Sequence, residues 1–163
     1  MAEAFDRYCV GDPVPQMIYA PTSFPCEIGD PIAIDSSGNP VKPSDQAWNA
    51  SLAQTQTDYA ALFAGVAAQK KVANVARIYG NGEDNQLRID TAGEFEANLQ
   101  TAANTVNGVT FLGPAKAAGN ALLDTLLVVV ASAALAIAVC TETKTSATKV
   151  RCRPMSTRFR TNT

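Results

Sequence analysis

A mainly β chain is what the sequence predicts: a small β-barrel or β-sandwich with an extended proline-rich N-terminal arm and at most one or two short helices. Three observations point there. Short apolar runs alternate with polar residues at period two, clusters of Gly, Asn, Asp and Ser separate them, and prolines crowd the first thirty residues. At 163 residues the chain is long enough to close one core without a metal or a disulfide staple.

Taken in order, residues 1–31 hold Pro13, Pro15, Pro21, Pro25 and Pro31, a density that breaks helices and interior strands, so this stretch is expected as an extended arm. Phe5, Tyr8, Val10, Val14, Ile18, Tyr19 and Phe24 punctuate it, which suits a segment that lies along a surface, its own or a partner's. A β domain over 32–157 follows, then a basic tail over 158–163. Ile32-Ala33-Ile34 reads as a strand, Ser36-Ser37-Gly38-Asn39 as a turn and Val41 as the start of a return strand. Residues 44–60 read either as a short helix capped by Ser44 or as a long loop, and Tyr59, Leu62, Phe63 and Val66 have helical spacing that Gly65 weakens. Gly80–Asn85 is turn-rich. Leu87 to Ala97 reads as a hairpin turned at Thr91-Ala92-Gly93. Val109–Leu112 is expected as a strand that stops at Gly113-Pro114, with another turn at Gly119-Asn120.

The run Leu126–Cys140 is the most hydrophobic stretch. As a helix it would span about 22 Å, short of the roughly 30 Å hydrocarbon core. Two buried strands, Leu126–Val130 and Ala134–Val139, joined at Ala131-Ser132-Ala133, fit its β-branched and alternating composition better than a buried or membrane helix. In Thr148–Arg153, Lys149, Arg151 and Arg153 face one side and Val150 and Cys152 the other, and Pro154 marks a strand end or an edge.

Charge is unevenly spread. Residues 1–142 carry all 15 acids and 7 bases, whereas residues 143–163 carry 6 bases and no acid. A basic strip of this kind suits nucleic acid, an anionic membrane, an acidic protein surface or plain solvation. Chemistry is thinly represented. Histidine is missing, removing the commonest general base and metal ligand. Cys9, Cys26, Cys140 and Cys152 form no C-x-x-C pair, so zinc is not expected, and they read as buried thiols kept reduced by synthesis in a cytoplasm. Gly80-x-Gly82 lacks the third glycine of a dinucleotide loop, and Glu83, Asp84 and Asp90 lack EF-hand spacing. Asn49-Ala50-Ser51 matches a glycosylation acceptor, a tripeptide common by chance, and Glu94 and Glu96 read as an exposed strand face. The expectation is a non-enzyme with no catalytic residues, no cofactor, no metal and no small-molecule substrate.

The order of the phrases GDPIAIDSSGNPVKPSD, LFAGVAAQ, DTAGEFEANL, VTFLGPAKA, LLVVVASAALAIAVCTE and ATKVRCRPMST resembles that of bacteriophage capsid decoration, or cement, proteins over about residues 28–157. Ala138 stands where that family usually has glycine, and residues 44–60 and 70–86 are long inserts. The resemblance implies a structural virion protein on the outer capsid surface, commonly a homotrimer, bridging neighbouring major capsid protein subunits. Its candidate contacts, to the capsid or between copies, are Phe5, Tyr8, Val14, Ile18, Tyr19 and Phe24 in the arm and Lys149, Arg151, Arg153, Arg158 and Arg160 in the basic strip. The alternative is a virion adaptor or nucleic-acid-associated protein using that strip, where Phe159 is the sole aromatic. A membrane protein built on Leu122–Cys140 is a third reading; neither a membrane nor direct nucleic-acid contact is expected under the first.

Overall fold

Two sheets share the chain in the computed structural model, which describes residues 4–11, 13–75 and 85–159, with the side chains of residues 6–10 left aside. The fold is mainly β, as the alternation predicts. The strands are β1 (Phe5–Val10), β2 (Pro15–Tyr19), β3 (Pro31–Ile34), β4 (Pro40–Val41), β5 (Phe63–Ala67), β6 (Gln86–Asp90), β7 (Glu94–Thr105), β8 (Phe111–Lys116), β9 (Leu122–Val130), β10 (Ala138–Cys140) and β11 (Lys144–Pro154). One α-helix, α1 (Leu52–Leu62), precedes β5.

The larger sheet runs β1-β7-β11-β10-β8-β9, and a parallel contact between Leu99 of β7 and Leu127 of β9 closes β7, β11, β10, β8 and β9 into a five-stranded barrel. Strand β7 is long enough to serve three neighbours. Its first residues lie between β1 and β11, and its middle touches β9. The smaller sheet runs β2-β6-β5-β3-β4, all antiparallel. Residues of the first thirty are thus extended strands against the chain's own body: β1 borders the barrel, and β2 is an edge of the second sheet, where Pro15 removes no needed donor.

Apolar side chains form two cores. The first joins the barrel interior, through Leu112, Leu127, Ile137 and Val150, to Tyr59 and Phe63 beside it. The second lies on the other side of the small sheet, around Ile32, Ala64, Leu87 and Ile89. Strand β5 is therefore buried on both faces, all five residues of it, which explains why FAGVA is a continuous run of small apolar residues without a period-two signature. Gly65 belongs to this packing: a Cβ there would stand 2.6 Å from the Asp90 carbonyl oxygen of β6. Helical spacing through Phe63 and Val66 is overridden by this close strand approach, and α1 ends at Leu62.

Helix α1 is placed by Ser51, not Ser44. The Ser51 hydroxyl accepts from Gln54 N, while Ser44 lies in a 3-10 turn at Pro43–Asp45 and donates its hydroxyl to Asp124. At 0% exposure, Tyr59 donates to the Pro31 and Val41 carbonyls, and Gln56 donates to the Pro114 carbonyl, so one helix ties the small sheet to the barrel.

Four further expectations are corrected. Leu87–Ala97 is not a hairpin: β6 pairs with β2 and β5, β7 with β1 and β11, and the Thr91–Gly93 turn carries the chain from one sheet to the other. Strand β8 runs through Gly113-Pro114. Leu112 turns its carbonyl toward the β10 side, accepting from Ile137 N, so the missing Pro114 N–H would point the same way, beyond the end of β10, where no ladder bond is lost. The Ala134–Val139 segment is a 3-10 turn at Ala133–Leu135 followed by the short β10. Leu126–Val130 is a strand, but only Leu127 of these five is fully buried, because β9 forms part of the barrel's outer wall. Of the turn expected at Gly80–Asn85, residues 80–84 lie outside the described residues. Among the described residues no helix is long and apolar enough to cross a membrane.

Candidate functional site

Strand alternation sorts the arm residues. Phe5 is buried, edge-on to Phe95 with ring centroids 5.8 Å apart. Ile18 and Phe24 are buried in the second core. Those three are structural, since their side chains face inward. Adjacent strand residues face opposite ways, so Ile18 and Tyr19 cannot share a surface. The outward side of β2 is Pro15, Met17 and Tyr19, and Val14 just before it is also exposed. Met17 is a residue that sequence reasoning missed, although its place one step from Ile18 carried the signal. Tyr8 sits opposite Phe95 in the β1–β7 ladder.

Strand β2 also offers backbone. Ala20 N donates to Asn85 O and Thr91 N to Val14 O, so even-numbered positions bond toward β6. Met17 and Tyr19 therefore turn their N–H and C=O groups to the side on which no strand pairs among the described residues. The arrangement can accept a strand from another chain.

The basic strip is real on one face of β11, where Lys149, Arg151 and Arg153 are exposed and Val150 and Cys152 are buried. Much of its charge is already matched. Glu142 Oε2 lies 3.2 Å from Arg151 Nε, Glu142 Oε1 lies 2.8 Å from Lys144 Nζ and accepts from Arg151 N, and Glu96 lies 3.7 Å from Lys149. Partial burial raises the Glu142 carboxyl, but hydrogen bonds from Lys144, the Arg151 N–H and the Arg151 guanidinium outweigh it and hold the group below its ordinary value. Arg158 lies apart, donating to Ile34 O of the small sheet at 2.9 Å. Arg160 lies outside the described residues.

A second surface comes from the far halves of β7 and β11. Residues 100–102 and 104, and 144–146, 148 and 149, are exposed in succession, so both faces of this two-stranded ribbon meet solvent; Ala103 and Ala147, paired with each other, are half-buried. Its residues are Gln, Thr, Ala, Asn, Lys and Ser, with no large apolar side chain to hold it down. At the β7–β8 turn beside it, Val106 and Val109 are exposed, Val109 by 65%. Lack of an apolar alternation in QTAANT and KTSATK was the sequence signal for the ribbon.

One concavity of about 410 Å³ lies beside the Cys26–Lys71 bridge and is lined by Cys26, Glu27, Asp30, Lys42, Lys70 and Lys71 among others. Two of its lysines are ion-paired, Lys70 to Glu27 at 2.7 Å and Lys42 to Asp124 at 3.5 Å. Burial, with Asp30 adding to it, pushes the Cys26 thiol up to about 11, which makes it a poor nucleophile at neutral pH. Among the described residues no group of three or more Cys, Asp or Glu side chains is arranged to hold a metal ion.

By fold and surface, the molecule is a small closed β-barrel with an appended sheet, a β2 edge that is unpaired among the described residues and a solvent-exposed ribbon. No family model, no curated protein and no solved structure matches the chain.

Proposed function

We propose that this chain is a structural virion protein that binds the outside of a phage capsid and cements neighbouring major capsid subunits. The observation that carries the reading is the β7–β11 ribbon. An isolated pair of strands is marginal in water, and this one, with Ala103 against the first core but residues 100–102, 104, 144–146, 148 and 149 exposed, has little to pack against among the described residues. A partner surface would supply the missing layer. The open β2 edge, with Met17 and Tyr19 beside it, adds directional backbone bonding, and the order of phrases over residues 28–157 supports the same reading. On a shell, weak contacts of both kinds repeat with the lattice symmetry, and a homotrimer gives each particle three ribbons, so avidity replaces single-site affinity. Such a role needs no substrate and no cofactor.

The nucleic-acid alternative draws on Lys149, Arg151, Arg153, Arg158 and Arg160, of which Glu96 and Glu142 already neutralise Lys149 and Arg151 in part. Co-sedimentation of the purified protein with expanded shells of its own major capsid protein decides the matter. Saturable binding and a raised shell melting temperature are expected. Failure to bind, together with a salt-sensitive shift of duplex DNA, would replace this function with the alternative.

A further inference from the structure

Cys140 of β10 and Cys152 of β11 stand directly opposite one another in the antiparallel ladder. The Cys140 N–H donates to Thr110 O and its carbonyl accepts from Gly108 N, both on the side away from β11. The ladder bond toward β11 is made one residue later, from Thr141 N to Arg151 O. Cys140 and Cys152 are therefore a non-hydrogen-bonded pair, the kind in which opposed α-carbons stand about 4.5 Å apart and the two side chains lie closest on one face. A disulfide joins α-carbons about 4.4–6.8 Å apart. Both side chains are fully buried thiols within the same barrel core, whereas Cys26 belongs to the other core.

We propose that Cys140 and Cys152 form a cross-strand dithiol that closes to a disulfide in an oxidising medium and locks β10 to β11 inside the barrel. The oxidant is a small disulfide such as oxidised glutathione. One cysteine thiolate attacks it, forming a mixed disulfide and releasing one thiol; the second cysteine thiolate then displaces the other thiol. Two S–H bonds are lost and one protein S–S bond forms. The oxidant takes the two electrons and leaves as two thiols that carry the two protons. Access comes through local opening of β10, a strand of only three residues. Burial, with Glu142 nearby, pushes the Cys140 thiol up to about 11, so closure is slow at neutral pH and reduced protein persists through synthesis in a reducing compartment.

The folded full-length protein, held with oxidised glutathione at about pH 8.5 to raise the thiolate fraction, is then acid-quenched, denatured, alkylated and mapped by trypsin without reduction. Cleavage after Lys144 and Arg151 puts the two cysteines on different peptides. The expected result is a Cys140–Cys152 linked pair that separates on reduction, together with a melting temperature higher by about 5 °C, a rise absent from C152A. Should C152A fail to fold, the map of the wild-type protein stands alone as the readout. Complete alkylation of both cysteines after prolonged incubation, or bridging of either to Cys9 or Cys26 instead, overturns the proposal.

Discussion

Glu142 shows how much one side chain does for the end of the barrel. It sits between β10 and β11, accepts from the Arg151 backbone and holds two cations, Lys144 and Arg151, on the strand that carries the basic strip. Its partners are almost half exposed, so solvent screens the pair and Glu142→Gln is expected to cost only about 1 kcal/mol at neutral pH. The pH dependence has a definite sign. A carboxyl held below its ordinary value binds fewer protons folded than unfolded, so its stabilisation is complete above about pH 4.5 and is lost as pH falls through the lower folded value. Urea melts of the two proteins should therefore differ at pH 7 and converge in acid. The sequence showed Lys149, Arg151 and Arg153 as one strand face correctly, yet the acids that pair with Lys149 and Arg151, Glu96 and Glu142, come from β7 and from beyond β10. The Glu96–Lys149 match is a tertiary fact that no local window contains, whereas Glu142 meets Arg151, nine residues on, through the turn between β10 and β11.

At the level of elements, the local signals that were read well are those set by neighbours in sequence. The strand at Pro31–Ile34, the Ser36–Asn39 turn and the alternation of Thr148–Arg153 all depend on side-chain period and turn chemistry. What was misread depends on packing at a distance. Pro114 passes through a strand because β10 has already ended, and FAGVA is a strand because it pairs with β3 and β6, so closely that Asp90 leaves no room for a Cβ at Gly65. The supposed hairpin fails for a related reason: its turn spans two sheets, and a sheet change has no signature in the alternation of either strand. For the helix, the deciding residue is the cap. Ser51→Ala should cost about 1 kcal/mol of stability, by loss of the bond to Gln54 N, and reduce helical signal in far-ultraviolet circular dichroism. Ser44→Ala removes only an exposed bond to Asp124 and should leave that signal unchanged. Equal loss in the two variants would mean that α1 starts earlier than Leu52.

For the molecule as a whole, the candidate contact surface was legible only in part. The arm residues Phe5, Ile18 and Phe24 look outward-facing on a proline-rich segment, but they complete the chain's own cores, and the exposed large apolar positions are Val14, Met17, Tyr19 and Ile28. Unequal protection should follow from the barrel's construction. Amides of residues 100–104 and 145–148 are expected to exchange with solvent at least about tenfold faster than those of 95–99 and 150–153, which lie over the first core. Slow exchange throughout β7 in the isolated protein would show that the ribbon already has a covering layer. Pairing order also differs from chain order: β1 waits for Glu94–Ala97 and β2 for Gln86–Asp90. With so much of the fold built from distant strands, folding is expected on the slow side, in milliseconds to seconds. During synthesis the segment Pro15–Tyr19 therefore emerges long before its partner exists, an unpaired strand in a crowded cell. Pro13, Pro15, Pro21 and Pro25 give that interval a safeguard, because a nascent segment broken by prolines makes a poor template for aggregation while its own β6 is still unmade.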